Sequence, residues 1–159
     1  LLRGIDQFTN FMRLLAPLDR GPINDGVRAG ESLFHAVGCA ACHTPVLMTG
    51  PDANPLFDRK PVPLFSDLLL HRMGPGLADD ILQGAAEGDE FRTAPLWGLG
   101  QRIFFLDEGR THDLVQAILA HQSPGNTRFK PSEANRVIDH YRGLGEGQKQ
   151  DLLNFLRSL

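Results

Sequence analysis

The stretch that decides the fold is Cys39-Ala40-Ala41-Cys42-His43. Two cysteines separated by two residues, with a histidine directly after them, are typical of the attachment site of a c-type haem. The two thiols add across the vinyl groups of the haem as thioethers, and the following histidine is placed to ligate the iron. We therefore expect one covalent haem c, held by Cys39, Cys42 and His43.

Two other interpretations of the cysteine pair are open, a redox-active dithiol and half of a zinc site. The chain has two cysteines in all, so a second cysteine pair that would complete a zinc site is missing. A thioredoxin-like dithiol belongs in a strand-helix context and gives no reason for the adjacent His43. The motif therefore favours haem over both alternatives.

Size and charge limit the class of protein. With 159 residues, of which 42% are hydrophobic and 22% charged, the chain has the size and composition of one globular domain, and we assign residues 1–159 to it. A net charge of -3 argues against nucleic-acid binding. The apolar stretches are far shorter than the roughly 20 residues needed to cross a bilayer. Since thioether attachment takes place on the exported side of the membrane, we expect a periplasmic or otherwise exported protein that reaches a membrane only through partners.

Helical periodicity dominates the rest of the chain. Apolar residues at helical spacing, together with capping residues and Gly or Pro stops, predict five helices, at 2–16, 24–37, 111–121, 132–140 and 147–159. We expect the last helix to pack against the first. Residues 44–63 are rich in Pro, Gly, Asp and Asn and predict a surface loop. No segment alternates well enough to predict a sheet, so the expected fold is all-α, a cytochrome c-like helical domain with long irregular loops around one covalent haem.

Three segments carry a resemblance to a known family. They are CAACH at 39–43, EFRTAPLWGLG at 90–100 and FFLDEGR at 104–110. Together they resemble the di-haem oxidoreductase family, also labelled thiol oxidoreductase, which is related to bacterial di-haem cytochrome c peroxidases and to MauG. The resemblance extends over nearly the whole chain and matches the C-terminal haem domain of that family.

The sequence departs from the family pattern in three places. Family members usually carry two haem motifs, whereas this chain has one. Asp107 stands where the family pattern commonly has a histidine of the distal pocket. Residues 122–125 replace a Gly-Gly-Glu-Ala run. These departures favour haem binding without enzymatic activity.

The sixth ligand of the iron has three candidates. Met73 lies in a turn-rich segment that can fold over the ring, and His71 lies two residues before it. His121 ends an amphipathic helix on its apolar side, where a histidine is more often a core residue than a ligand. The resemblance changes this expectation, since it aligns His121 with the position that supplies a distal Met or Tyr in the relatives. We therefore expect bis-histidine ligation by His43 and His121, with Met73 as the alternative.

Two further residues are candidates for haem contacts. Arg92 can pair with a haem propionate, because a guanidinium suits a carboxylate; the alternative is a surface ion pair with Asp89 or Glu90. Trp97 can pack at the haem edge, although ordinary burial would also account for it.

The expected function is a monohaem c-type cytochrome that transfers single electrons and is not itself an enzyme. Its expected partners are redox proteins, either other cytochromes or a membrane-associated complex. The alternative is half of a peroxidase-like or thiol-oxidising di-haem enzyme whose second haem lies on another chain or in a missing domain.

Overall fold

The computed structural model describes residues 3–159, and five α-helices form the larger part of its regular structure. The helices are α1 (Gly4–Arg13), α2 (Asp25–Val37), α3 (Leu114–Leu119), α4 (Asn135–Arg142) and α5 (Glu146–Arg157). The ends of each helix lie within three residues of the predicted ends, and α1 and α3 are each five residues shorter than predicted. Leu2, the first residue of the first predicted helix, lies outside the described residues.

Two small antiparallel sheets accompany the helices. They pair β1 (Leu47–Met48) with β2 (Pro61–Val62), and β3 (Leu70–Arg72) with β4 (Glu90–Arg92). The prediction of an all-α, cytochrome c-like fold is therefore wrong. Strands of two or three residues are too short to show an alternating pattern, and their pairing depends on residues that are distant in the sequence. The predicted loop at 44–63 contains the first hairpin.

The helical core is built on the packing of α2 against α5. A Cβ atom at Gly30 would lie 2.0 Å from the backbone oxygen of Asp151 and 2.7 Å from Cβ of Phe155, so only glycine permits this close approach. The prediction that the last helix packs against the first is wrong, because its partner is the second. The apolar periodicity correctly predicted both helices, but it does not specify which helices pack against each other.

Buried aromatic side chains fill the centre of this core. Phe34 on α2 is 1% exposed and Phe155 on α5 is completely buried, and their ring centroids are 5.2 Å apart. Phe65 lies 6.1 Å from the Phe34 ring. The core therefore links the two helices to the loop before β3.

Helix α1 contributes no buried residue. Ile5, Phe8, Met12 and Leu15, whose helical spacing predicts one apolar face, are each more than half exposed. The apolar face that the amphipathic pattern predicts for α1 is thus not buried in the described part of the chain. None of the helices in residues 3–159 has both the length and the apolarity that crossing a membrane requires.

Candidate haem-iron site

The cysteine motif follows directly from the end of α2. Asn24 caps the start of this helix by accepting the backbone N–H of Val27. Gly38 ends it in a left-handed conformation, with φ at 106°, which glycine adopts without steric cost. The chain then forms a 3₁₀ turn at Cys39–Ala41, and the amide of His43 donates to the carbonyl of Cys39 at 2.9 Å. A rigid helix end therefore presents both cysteines and the histidine together.

Both thiols are free and protonated at neutral pH. Burial raises the pKa of Cys39 to about 11. Burial also raises the pKa of Cys42, and the negative charges of Asp67 and Glu133 add to the rise. Redox-active and nucleophilic cysteines have lowered pKa values. This environment therefore argues against a redox dithiol.

The imidazole of His43 is held against the core. Its Nδ1–H donates to the backbone oxygen of Phe65 at 3.0 Å, and its ring lies 6.4 Å from the ring of Phe34. A carbonyl oxygen can only accept, so Nδ1 carries the proton and Nε2 is the basic nitrogen. Phe65 has φ at 52°, a conformation that costs a bulky residue about 1–3 kcal/mol. The strained residue is thus the one that fixes the orientation of His43.

His121 is arranged in the same way at the end of α3. Its Nδ1–H donates to the carbonyl of Ala117 at 2.8 Å, so its Nε2 is also the basic nitrogen. The backbone carbonyl of His121 accepts the hydroxyl of Ser132 at 2.6 Å, which ties the helix end to the segment before α4. The ring centroids of His43 and His121 are 6.5 Å apart, with an interplanar angle of 60°.

Burial keeps both imidazoles neutral. It lowers the pKa of His43 to about 4, and the hydrogen bond to Phe65 offsets only part of this effect. Burial likewise lowers the pKa of His121, against the opposing influence of the carbonyls of Ala117 and Ile118. Neutral imidazole is the form that ligates metals. Both rings are therefore in the state that an iron ligand requires.

The residues fit a haem with two histidine ligands. Among the described residues, no hydrogen bond uses Nε2 of His43 or of His121. A histidine nitrogen binds a transition metal at about 2 Å, so two nitrogens on opposite sides of one ion are about 4 Å apart. Ring centroids lie farther from the ion than the nitrogens do. Two rings whose centroids are 6.5 Å apart can therefore share one ion. A hydrogen bond from the other ring nitrogen to a backbone carbonyl is the usual support of a ligating histidine. Two thiols for thioether bonds lie on the same turn as His43.

Met73 and Arg92 stay predictions as haem contacts, and the structure shows their surroundings. Met73 is 9% exposed and its amide donates to the carbonyl of Asp89 at 2.8 Å, but it is not part of the aromatic core cluster beside His43. Arg92 is exposed on β4, and the expected ion pairs of Asp89 and Glu90 are made by Arg72 instead.

Trp97 is half-buried beside Phe65 and lines a small crevice with Pro17, Pro63 and Leu159. This position is compatible with the alternative of ordinary packing. Its role as a haem contact stays a prediction.

Sequence reasoning missed the surroundings of Cys42. His71, considered only as an iron ligand, lies between Asp67 and Glu133, with nitrogen-to-oxygen distances of 2.9 and 2.8 Å. Its Nδ1 is 3.7 Å from Sγ of Cys42. The four-residue spacing of Asp67 and His71 was a weak signal of contact. Nothing in the sequence pointed to Glu133, which comes from the segment before α4.

Comparison with known families identifies the class of protein. A family model described as "Di-haem oxidoreductase, putative peroxidase" matches residues 6–159. The chain therefore belongs to the di-haem oxidoreductase family, as the resemblance indicated, and membership implies that it binds haem. No curated protein and no solved structure matches the chain.

Proposed function

We propose that this chain is a single-haem electron-transfer domain of the di-haem oxidoreductase family. Its haem is attached through Cys39 and Cys42, and its iron is ligated by His43 and His121. The observation that carries this proposal is the pair of neutral imidazoles whose ring centroids are 6.5 Å apart, each with Nδ1 bonded to a backbone carbonyl. The family supports haem binding, and the CAACH motif supports covalent attachment of one haem.

The roles of the protein residues follow from their contacts. When bound, the haem supplies a one-electron iron couple. His43 and His121 would hold the iron through their Nε2 atoms and would thereby exclude water and substrates from it. The carbonyls of Phe65 and Ala117 hold the two rings in place, so little rearrangement accompanies a change of charge. Two protein ligands favour electron transfer over catalysis at the iron.

The partners are redox proteins, and the compartment is the periplasm or another exported location, since thioether attachment takes place there. The acidic residues Asp80 and Glu87 have the charge that would attract a basic redox partner. These carboxylates pair with Arg128 and Arg72, respectively, at 2.8 and 2.9 Å. The pairing reduces the charge that they present, so the partner surface is not assigned to them.

A second candidate function is favoured by the family description. A peroxidase of the di-haem type needs one haem to supply electrons and another to bind peroxide, and the sequence contains one attachment motif. In this alternative, the chain is the electron-supplying half of an enzyme whose second haem lies on another chain or in a further domain.

The two candidates differ in what the purified chain does alone. We expect one haem per chain, a potentiometric titration with a single one-electron wave, and no consumption of hydrogen peroxide by the reduced protein. A chain that consumes peroxide catalytically by itself would contradict the electron-transfer proposal. Peroxide consumption that appears only with a second haem protein would select the alternative.

A further inference from the structure

A second group of metal-ligating side chains lies beside the haem motif. Sγ of Cys42, a carboxylate oxygen of Asp67 and a ring nitrogen of His71 all lie within 4.8 Å of one another. Glu133 supplies another carboxylate at 2.8 Å from Nδ1 of His71. The group combines one sulfur, one nitrogen and two oxygen donors on a partly buried surface.

Backbone contacts hold these side chains together. The amide of Asp67 donates to the carbonyl of Cys42 at 2.9 Å. His71 lies on β3, where its register partner is Phe91 of β4. Oε1 of Glu133 accepts the amide of Arg72 at 3.1 Å. Three separate segments therefore converge on one imidazole, and the arrangement does not depend on flexible side chains alone.

The charge of the group favours a cation. Carboxylates of Asp67 and Glu133 bond to the two nitrogens of the His71 imidazole, at 2.9 and 2.8 Å. Burial alone would lower the pKa of His71, but the hydrogen bonds to Glu133 and Asp67 and their charges raise it. Protons now balance the negative charges of the two carboxylates, and a bound divalent ion would balance them instead.

We propose that Cys42, His71 and Asp67 bind a divalent transition-metal ion of the zinc type in the haem-free chain. The sulfur and Nδ1 are 3.7 Å apart, within the limit of about 4.3 Å for two atoms that bind one zinc ion at typical Zn–S and Zn–N distances. Glu133 lies close enough to His71 to supply the fourth donor or to orient the ring. Binding releases the thiol proton of Cys42 and one ring proton of His71 to solvent, because the ligands are the thiolate and the neutral imidazole.

Metal binding and haem attachment exclude each other at the sulfur of Cys42. A thioether sulfur has no negative charge and is a weaker ligand than a thiolate, so the site exists only before the haem is attached. This consequence, unlike metal binding itself, rests on the proposed function. The zinc interpretation of the sequence required a second cysteine pair, and for that reason it missed a site of mixed donors.

The test uses cobalt(II) as a spectroscopic probe on the haem-free chain of residues 1–159, with zinc(II) as competitor. We expect a thiolate-to-cobalt charge-transfer band at one equivalent, which zinc abolishes. Cys42→Ser and His71→Ala should each weaken binding at least 100-fold, and Asp67→Asn about 10- to 100-fold, a range known for residues that support a metal site.

Cys39→Ser is the matched control, because Cys39 is the only other thiol and lies outside the group. It should keep the band, as should replacement of the exposed His112 by Ala. If Cys39→Ser loses binding as severely as Cys42→Ser, the metal is held by the cysteine pair of an unfolded chain and the proposal is wrong. No band in the wild-type chain, or a band unchanged by His71→Ala, would overturn it as well. None of these results depends on how the attached haem is ligated.

Discussion

His43 belongs to the haem motif and His71 lies beside it, but the surroundings of the two side chains are opposite. The Nδ1–H of His43 donates to a backbone carbonyl in an apolar core, and burial lowers its pKa to about 4. His71 has a carboxylate at each ring nitrogen, and these raise its pKa in spite of burial. His121 belongs with His43, since it too donates to a carbonyl and has a lowered pKa.

The difference shows how one side-chain type acquires two roles. A neutral imidazole with one nitrogen occupied by a carbonyl offers the other nitrogen to a metal. An imidazole between two carboxylates is instead a cation that holds them together, until a metal ion replaces its proton. The surroundings, rather than the presence of histidine, therefore decide which residues are candidates for iron ligation.

The largest expected effect comes from removing the attachment thiols of Cys39 and Cys42, in the segment that contains His43. Replacing Cys39 and Cys42 together by Ala should abolish covalent haem, because no other thiol exists in the chain. Haem staining after denaturing electrophoresis, together with the intact mass, measures this. Replacement of the exposed His35 by Ala should leave attachment unchanged. Covalent haem that persists in the double variant would refute attachment at the motif.

The apolar support of His43 should matter more for stability than the exposed helix α1. Phe34→Ala removes a ring that is 1% exposed and should lower the free energy of unfolding by about 3–5 kcal/mol. Phe8→Ala, at a position that is 62% exposed, should change it by less than about 0.5 kcal/mol. Urea unfolding of the haem-loaded protein measures both. Equal effects would mean that the core does not lie where the structure places it.

The smallest effect should come from the charged surroundings of His71. Because its folded pKa is raised, its ion pairs stabilise the protein fully below the unfolded value of about 6.5 and are lost as pH rises through the folded pKa. The difference in unfolding free energy between wild type and His71→Gln should thus shrink with rising pH, from about 1 kcal/mol. It should also shrink in acid, as Asp67 and Glu133, whose pKa values are lowered, become protonated. Sγ of Cys42 also lies beside the His71 ring, 3.7 Å from Nδ1. A difference that grows with pH would contradict this assignment.

The sequence predicted the helices and the haem motif because their signals are local. Helix α2 has a capping residue, Asn24, and a stopping glycine, Gly38, and its observed range differs from the predicted one by a single residue at its start. For α3, the predicted start at residue 111 is three residues too early. The side chain of Asp113 caps this helix, and the hydroxyl of Thr111, two residues earlier, accepts the amide of Asp113.

Features that depend on distant contacts could not be predicted. The β3–β4 pair joins residues about twenty positions apart through backbone hydrogen bonds that leave no pattern in three-residue strands. Likewise, nothing local places Glu133 next to His71 or selects α2 as the partner of α5. The approach of His121 to His43 was expected only through the family resemblance, since an apolar helix position alone indicates a core residue.

The most direct test of the account is the spin state of the ferric haem iron. Low-temperature EPR and absorption spectra of the ferric wild-type protein should show the low-spin signal of iron with two imidazole ligands. After reduction, added carbon monoxide should not displace either ligand. His121→Ala should give high-spin iron that binds carbon monoxide, while replacement of the exposed His112 by Ala should leave the spectrum unchanged. High-spin iron in the wild type, or a methionine-to-iron charge-transfer band that Met73→Leu removes, would contradict ligation by His43 and His121.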